Sequence, residues 1–269
     1  MDSMKIAFIG GGNMGQAMAQ AILGQGLATP EAISVSDVSP ARRRHLEQEY
    51  GLYVTASNLE ALERGDIVVL AIKPQNLADV MAEIGGRLKA GQLVLSIIAG
   101  AATGTLSQGL KHNAIVRAMP NAPAQIGQGI TVWTATAAVS ERQKARAGSI
   151  LGAMGREIYV ADERYIDMAT AISGSGPAYV FLFMESLISA AVDIGLPPDM
   201  ARELVSQTLL GSGEFARKSG SELARLRRMV TSPGGTTAEA IKVFEKGHFA
   251  QLVRQAVAAA YNRARQLGS

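Results

Sequence analysis

The sequence predicts an α/β fold in two parts, a doubly wound and mostly parallel sheet over residues 1–160 followed by an all-α domain over residues 161–269. Up to about residue 160, short apolar runs alternate with amphipathic ones, as in βαβ units. After Tyr159 the strand pattern ends, and apolar residues recur at helical spacing. A chain of 269 residues is long enough for two domains of ordinary size.

Each predicted element rests on the period of its apolar residues. In the first part, six apolar runs of strand length predict strands at Lys5–Ile9, Ala32–Ser36, Ile67–Ile72, Leu93–Ile97, Ile115–Ala118 and Gly129–Thr134. Amphipathic stretches between them predict helices at Met14–Leu23, Arg42–Glu49, Asn58–Leu62 and Leu77–Leu88. Six further helices are predicted in the second part, at Arg164–Ile172, Pro177–Ile194, Pro198–Lys218, Ser221–Met229, Thr237–Glu245 and Phe249–Leu267.

The composition is that of a globular protein, with 48% hydrophobic and 18% charged residues. The net charge is +3 and the triplet Arg42–Arg44 is the only dense basic run, so no nucleic-acid partner is expected. The absence of cysteine excludes disulfides and thiolate zinc sites, and it fits a reducing compartment such as the cytoplasm. His45, His112 and His248 are scattered without metal-ligand spacing, so no metal site is expected.

The stretch Pro177–Leu196 is apolar over nearly the length needed to span a membrane. Glu185 and Asp193 interrupt it, and charges inside a spanning helix are costly, so we predict a helix buried in protein and no membrane partner. The helix is apolar on nearly every face, and a monomer with two domains would leave much of it exposed. The sequence therefore predicts at least a homodimer.

A glycine-rich turn follows the first predicted strand. Gly10-Gly11-Gly12-Asn13-Met14-Gly15 fits G-x-G-x-x-G and leads directly into a predicted helix. Gly10 permits the tight turn, Gly12 lets a pyrophosphate approach the backbone, and Gly15 allows close packing of helix on strand. The alternative is a glycine turn that binds nothing. The strand before it and the helix after it favour a dinucleotide site of the Rossmann type, with the whole turn as its binding loop.

Two features after the second predicted strand bear on cofactor choice. Asp37, about 20 residues beyond the glycine turn, is placed to accept a hydrogen bond from the adenosine ribose 2′-hydroxyl, which favours NAD. Arg42 and Arg43 follow closely and could hold the 2′-phosphate of NADP. Asp37 could equally be a turn residue, and the arginines a solvated helix face. The choice between NAD and NADP is therefore open at the level of sequence.

A lysine and a proline follow the third predicted strand. Lys73-Pro74 comes directly after Ala71-Ile72 at the carboxyl end of the predicted sheet, where ligands bind in open α/β folds. We therefore predict that Ala71, Lys73 and Pro74 contact the cofactor. The alternative is an exposed lysine at a strand end.

The segment Ser232-Pro233-Gly234-Gly235-Thr236-Thr237, in the helical part, is dense in turn residues. Thr236 and Glu239 have the spacing of a capping box, and the two glycines leave the backbone before it open. N–H groups at such a helix start can hold an anion such as a carboxylate, and the hydroxyls of Ser232 and Thr237 add donors. The alternative is a capped helix with a flexible lead-in.

Five segments, in this order, resemble the pyrroline-5-carboxylate reductase family over essentially the whole chain: Gly10–Gly15, Ala71–Pro74, Arg117–Asn121, Ser173–Tyr179 and Ser232–Thr237. The resemblance implies reduction of 1-pyrroline-5-carboxylate to L-proline by hydride transfer from NADPH or NADH, the last step of proline biosynthesis. It also implies dimers formed through interleaved C-terminal helices, some of which assemble further.

The resemblance assigns roles to individual residues. Asn58 and Lys73 would contact the cofactor. The substrate carboxylate and ring nitrogen would be held by residues of the turn segment, namely Ser232, Gly234, Gly235, Thr236 and Thr237. Thr237 is the candidate proton donor to that nitrogen. The residues of Ser173–Tyr179 themselves indicate that Pro177 opens the long apolar helix, and that the glycines either let the helix end approach the nicotinamide or simply form the turn between the domains.

Two other interpretations compete with this one. β-Hydroxyacid dehydrogenases share a dinucleotide-binding half and a helical half, but they place a lysine four residues after the last glycine of a comparable motif. The corresponding position, four residues after Gly176, is Val180, which cannot polarise a hydroxyl or carbonyl group. A noncatalytic module that senses redox state is the second alternative, and turnover of reduced cofactor with the cyclic imine separates it from an enzyme.

Overall fold

The structure is a computed structural model that describes residues 4–267, so residues 1–3 and 268–269 of the two predicted domains lie outside the described part. Its first part contains an eight-stranded sheet. The strands are β1 (Ile6–Ile9), β2 (Ile33–Ser36), β3 (Tyr53–Thr55), β4 (Ile67–Leu70), β5 (Leu93–Ser96), β6 (Ile115–Met119), β7 (Gly129–Ala135) and β8 (Gly155–Tyr159).

Twelve α-helices connect and follow these strands within residues 4–267. Those among the strands are α1 (Asn13–Gly24), α2 (Pro40–Tyr50), α3 (Asn58–Arg64), α4 (Leu77–Ile84), α5 (Thr103–Leu110) and α6 (Glu141–Gly152). Those after the sheet are α7 (Arg164–Ala169), α8 (Gly176–Asp193), α9 (Pro198–Ser219), α10 (Leu223–Met229), α11 (Thr236–Lys246) and α12 (Phe249–Leu267). A π-helical turn, Thr170–Gly174, lies between α7 and α8.

The strand order is β3-β2-β1-β4-β5-β6-β7-β8. Strands β1 to β6 pair in parallel, β7 runs antiparallel to β6, and β8 is parallel to β7. The order of the chain reverses between β1 and β4, which are hydrogen-bonded neighbours. In an open α/β sheet, such a switch point leaves a crevice at the carboxyl ends of the strands, where ligands bind.

The core has two layers, one on each face of the sheet. Alternate residues of β1 belong to different layers, Ile6 and Phe8 to one and Ala7 and Ile9 to the other. Helices α1, α2 and α6 contribute to the first layer, and α3, α4 and α5 to the second. Because both faces are covered, β1 and β4 are apolar at every position, which explains why their runs were continuous in the sequence.

The predicted fold class and the six predicted strands are confirmed, each strand to within two residues at its ends. Two strands were not predicted, β3 and β8. β3 has only three residues, and β8 lies at the sheet edge with most of its side chains exposed, so neither carries an apolar run. Helix α4 ends at Ile84 and not at the predicted Leu88, because Gly86 adopts φ +76°, which ends the helical path.

The chain forms two compact units that divide after Pro177, with the residues from Ala260 onward belonging to the first unit and Ala178–Ala259 forming the second. The predicted boundary at residue 160 corresponds to the end of the sheet, whereas the compact unit also includes α7 and the π-helical turn. The end of α12 belongs to the first unit, where Leu267 packs directly against Gly100.

As predicted for a monomer with two domains, much of the long apolar helix is exposed in a single chain. No residue of α8 is buried, and Phe181 and Leu182 are more than half exposed. The stretch Arg164–Asp193 is long and apolar enough to cross a membrane by composition, which alone is weak grounds for a span. An exposed apolar surface of this extent often marks an interaction site.

Candidate functional site

The glycine turn between β1 and α1 has three glycines in three different surroundings. Gly10 has φ +100°, and a Cβ atom there would lie 2.7 Å from the carbonyl oxygen of Ala71. A Cβ atom on Gly15 would lie 2.5 Å from the carbonyl oxygen of Gly10. Around Gly12, by contrast, nothing lies within 4 Å of an added Cβ. Gly10 and Gly15 thus permit tight packing, while Gly12 leaves open space in which a diphosphate fits against the backbone.

A cavity of about 580 Å³ lies beside this turn, at the carboxyl ends of β1, β2 and β4. Six of the residues predicted to bind the cofactor line it: Gly10, Gly12, Asp37, Asn58, Ala71 and Lys73. Residues that sequence reasoning did not single out also line it: Ser36, Val38, Ile72, Asn76, Asp79, Val80 and Glu83. Its size is in the usual range for a ligand site.

The other predicted cofactor residues lie outside this cavity. Asn13 lines a neighbouring cavity of about 240 Å³ together with Gln16, Gln20 and Gln125. Met14, like Gly15, belongs to the first turns of α1, and Met14 packs against the core. Pro74 begins a short 3₁₀ turn that directly follows Lys73. The structure therefore brings six of the predicted cofactor residues to one cavity and places Asn13, Met14, Gly15 and Pro74 outside its lining.

Asp37 organises the loop after β2. Its carboxylate accepts a hydrogen bond from the Gly11 N–H at 2.9 Å and another from the Ser39 N–H at 2.8 Å. The guanidinium of Arg42 donates to the Gly11 carbonyl, and that of Arg43 donates to the Asp37 carbonyl at 2.5 Å. Asp37 thus stabilises the turn and also lines the cavity. Its carboxylate has lone pairs left after accepting two N–H groups, so it can still accept a hydrogen bond from a ligand.

Asn58, at the start of α3, is held from two sides. The buried Ser36 hydroxyl donates to Asn58 Oδ1 at 2.7 Å, and Asn58 Nδ2 donates to Glu83 Oε2 at 2.7 Å. A carboxylate can only accept hydrogen bonds, so the amide nitrogen must face Glu83. Glu83 lies in the last turn of α4, where no motif indicates a function, and the structure places it on the cavity wall.

The turn segment Ser232–Thr237 leads into α11 in the second compact unit. Gly235 caps the helix through its backbone, with φ −81° and ψ 168°, and no side chain bonds to the helix start. Among the described residues, the hydroxyls of Ser232, Thr236 and Thr237 have no hydrogen-bond partner in the protein. The first N–H groups of a helix also lack partners within it. This segment therefore presents several unused donors suited to an anion.

The predicted capping box at Thr236 and Glu239 was wrong. Thr236 is the first residue of α11 and not its cap, and the Glu239 side chain pairs with Lys242 at 2.6 Å. Gly235 takes the capping position because its backbone is already extended there, which leaves the Thr236 hydroxyl unbound. Gly234, at φ +71°, makes the sharp turn before it.

A buried arginine joins β6 to α7. Arg117 is 3% exposed and pairs with Glu163 at 2.8 Å and with Asp167 at 2.6 Å. Thr103, at the start of α5, donates to Glu163 through both its N–H and its hydroxyl. Burial acts to raise the pKa of Glu163, but the hydrogen bonds from Thr103 and Arg117 outweigh it and lower that pKa. The cluster fixes α7 against the sheet.

Met119, two residues after Arg117 on β6, packs against the π-helical turn. A Cβ atom on Gly174 would lie 2.9 Å from Met119 Cε, the end of a flexible side chain that packs against this turn. Pro177 is the second residue of α8, as predicted from the sequence. π-Helical turns are often found at functional sites, which fits the place of this turn in the Ser173–Tyr179 motif.

The second compact unit has its own cavity, of about 490 Å³, between α8, α10, α11 and α12. It is lined by Phe183, Phe244 and Phe249 with Arg227 and Arg254, and by none of the residues predicted to hold the substrate. We therefore assign it no part in the reaction. Within residues 4–267, no group of three or more acidic or histidine side chains could hold a metal ion.

Comparison with known families divides the chain in a similar way. Residues 163–267 match the model of the pyrroline-5-carboxylate reductase dimerisation domain. Residues 5–100 match the model of an NADP oxidoreductase domain described as coenzyme F420-dependent.

Relatives match over the whole chain. A pyrroline-5-carboxylate reductase from Pseudomonas aeruginosa is 41% identical, with 99% of this chain and 98% of the relative covered. The solved structure of a pyrroline-5-carboxylate reductase from Coxiella burnetii is 38% identical, with a TM-score of 0.90 and both chains fully covered. That of Plasmodium falciparum pyrroline carboxylate reductase, with NADP bound, is 34% identical, with a TM-score of 0.91 and both chains fully covered.

Proposed function

Because the chain belongs to the pyrroline-5-carboxylate reductase family, we propose that its two groups of residues divide one reaction between them, the cavity beside β1 binding the cofactor and the Ser232–Thr237 segment binding the substrate. The reaction is the reduction of 1-pyrroline-5-carboxylate to L-proline with NAD(P)H, in proline biosynthesis. The chain is thus an oxidoreductase that depends on a nicotinamide cofactor.

The cofactor supplies a hydride when bound, so the protein's tasks are binding, orientation and control of a proton. Gly12 presents an open backbone to the diphosphate, next to the N-terminus of α1, where free N–H groups favour negative charge. Lys73 adds a positive charge on the cavity wall, and Asn58 is held in one orientation by Ser36. These contacts hold the cofactor at the carboxyl edge of the sheet.

The substrate is a five-membered cyclic imine that carries a carboxylate. The N-terminus of α11 suits that carboxylate, because its first N–H groups are unpaired and the helix dipole is positive there. The hydroxyls of Ser232, Thr236 and Thr237 lie beside it without partners among the described residues. Thr237 donates a hydrogen bond to the lone pair of the neutral imine nitrogen, and that nitrogen gains a proton as hydride adds to the neighbouring carbon and the C=N bond becomes a C–N single bond.

One observation carries the assignment of the substrate residues, namely the row of unused hydroxyl and N–H donors in the Ser232–Thr237 segment. The test is to follow oxidation of NADPH and NADH with 1-pyrroline-5-carboxylate and to quantify L-proline. We expect one proline per cofactor oxidised. Cofactor that stays reduced with the imine, while it binds to the protein, would leave a nucleotide-binding module as the remaining interpretation.

We further propose that two copies of this chain associate through the helical unit, since its exposed apolar surface lies in the part that matches the dimerisation model. A second copy, and not a membrane, would then cover α8. We propose a cytoplasmic location, with no nucleic-acid partner, on the composition: the chain has no cysteine, and its net charge is only +3.

A further inference from the structure

We infer that this chain prefers NADH to NADPH and that Glu83 is a specificity-determining residue. The inference rests on the proposed cofactor cavity, and it concerns the end of that cavity formed by β2, α3 and α4. NADH and NADPH differ by one group, a hydroxyl or a phosphate on the adenosine ribose. The question is therefore which of these two groups the cavity wall accepts.

The charge of the wall disfavours the phosphate. Three carboxylates line the cavity, those of Asp37, Asp79 and Glu83, against the single ammonium group of Lys73. A phosphate monoester brings a further charge of about −1.5 to −2 near neutral pH. Asp79 and Glu83 are four residues apart on α4 and so share one helix face. The cavity thus presents a net negative wall to the cofactor.

Hydrogen-bonding capacity points the same way. A ribose hydroxyl can donate to a carboxylate, whereas a dianionic phosphate can only accept. Glu83 is held at the wall by Asn58, whose amide is in turn fixed by the buried Ser36 hydroxyl. Asn58 therefore offers one of its two N–H donors to Glu83 and not to the ligand. The hydrogen-bonded series Ser36–Asn58–Glu83 thus ends at the cavity wall in a carboxylate, which can accept a hydrogen bond from a ribose hydroxyl.

The arginines that could have favoured NADPH donate hydrogen bonds to the loops beside the cavity. Arg42 donates to the Gly11 carbonyl and, at 3.4 Å, to Asn13 Oδ1. Arg43 donates to the Asp37 carbonyl. Neither guanidinium lines the cavity. Of the two hypotheses left open by the sequence, these contacts favour the one in which Asp37 meets the ribose hydroxyl.

The experiment measures binding without substrate, by calorimetric titration of the full-length protein with NADH and with NADPH, and then kcat/KM for each with 1-pyrroline-5-carboxylate. The wild-type protein should bind NADH more tightly, by about threefold to tenfold for charges near a protein surface. Glu83→Gln should tighten NADPH binding by a similar factor and weaken NADH binding slightly. Raising the salt concentration should narrow the wild-type difference, because exposed charges are screened.

Glu141→Gln is the matched control. It removes the same charge from an exposed side chain at the start of α6, far along the chain from the cavity residues, and the ratio of the two affinities should stay at the wild-type value. NADPH binding equal to or tighter than NADH binding would overturn the inference, as would a ratio that Glu83→Gln leaves unchanged. Turnover that favours NADPH would refute this preference alone, whereas absence of turnover with either cofactor would refute the proposed function.

Discussion

Gly12 and Gly15 lie three residues apart in one turn, yet a side chain at each would meet different atoms. At Gly12 an added Cβ meets nothing in the protein, whereas at Gly15 it meets the Gly10 carbonyl at 2.5 Å. We therefore expect Gly12→Val to fold normally and to weaken cofactor binding by at least about tenfold, because the new side chain occupies the space of the diphosphate.

Gly15→Val is the contrasting variant, since its side chain clashes inside the fold and should lower the melting temperature. Cofactor affinity is measured by calorimetry and stability by thermal unfolding. Unchanged cofactor affinity in Gly12→Val would show that the glycine turn is not part of the binding site. If Gly12→Val lowered the melting temperature as much as Gly15→Val does, the space around Gly12 would be needed for folding and not for the cofactor.

Thr237 is the sharpest test of the substrate site. Thr237→Ala removes a hydroxyl that bonds to nothing in the protein, and the helix cap is Gly235, so stability should change little. If the hydroxyl bonds to the ring nitrogen in the transition state, its loss costs roughly 1.5–3 kcal/mol, or about ten- to a hundredfold in rate. Cofactor affinity should stay the same.

Thr237→Ser keeps the hydroxyl and should retain most of the rate, and Ser232→Ala shows what loss of a neighbouring donor costs. Turnover, substrate dependence and melting temperature are measured for all three. Wild-type turnover in Thr237→Ala would refute the role of Thr237. A large drop in its melting temperature would show that the hydroxyl is structural after all.

The residues of the candidate cofactor site that could be predicted from the sequence are those whose type is constrained by backbone geometry. Gly10 and Gly15 are required by contacts that no other residue allows, and Lys73 follows directly from the end of a strand. Glu83 was missed because it lies on an exposed helix face, where any charged residue satisfies the helical pattern. Its place on the cavity wall and its hydrogen bond from Asn58 distinguish it in the structure.

At the scale of elements, the Arg117 cluster holds three of them together. Arg117 comes from β6, Glu163 and Asp167 flank and occupy α7, and Thr103 opens α5. Arg117→Met should lower the free energy of unfolding by on the order of 3 kcal/mol, because it leaves partly buried carboxylates without their cation. Urea unfolding measures this. A change below 1 kcal/mol, the range of a surface pair, would show that the cluster is dispensable.

The same cluster makes stability depend on pH in one direction. The pKa of Glu163 is lowered in the folded state, so its contribution is complete above the ordinary glutamate pKa, about 4.3, and is lost as the pH falls through the lower folded value. Glu163→Gln should be less stable than the wild type at pH 7, and the gap should close in acid. A gap that stays constant down to pH 3 would contradict this.

Helices and strands were predictable where a regular apolar pattern extends over many residues. They were missed where the element forms because of hydrogen bonds to residues far away in the sequence. The edge strand β8 has five residues with little apolar character, and it forms because β7 offers it hydrogen-bonding groups along five paired positions. The cap of α11 was misassigned because the spacing of Thr236 and Glu239 fits a capping box, while the extended backbone at Gly235 makes a side-chain cap unnecessary.

At the scale of the whole molecule, the two-part fold was predictable, because the switch from strand to helix period near Tyr159 is a property of the sequence alone. For the long apolar helix, the sequence predicted a second copy as the cover, although the apolar pattern alone does not identify that cover. An apolar helix has the same pattern whether its own chain or another chain buries it, and here no residue of the helix is fully buried by its own chain. The dimerisation model that matches residues 163–267 supports a second copy as the cover.

We expect the protein to sediment as a homodimer at least, at micromolar concentration. On α8, Val180, Phe181 and Leu182 are 45%, 55% and 64% exposed in the single chain, and burying them between copies stabilises the assembly by roughly 25 cal/mol per Å² of apolar surface. Leu182→Glu places a charge in that surface. It should shift the protein toward the 28.2 kDa monomer, or lower the melting temperature of the dimer.

Ile126→Glu is the control for this change, since it also replaces an exposed apolar side chain with a charge, but in the first compact unit. It should leave the sedimentation coefficient and the melting temperature as they are. A wild-type protein that is a well-folded monomer at micromolar concentration would contradict the dimer. So would Leu182→Glu that sediments and melts like the control, because a buried charge in an apolar interface cannot be neutral for association.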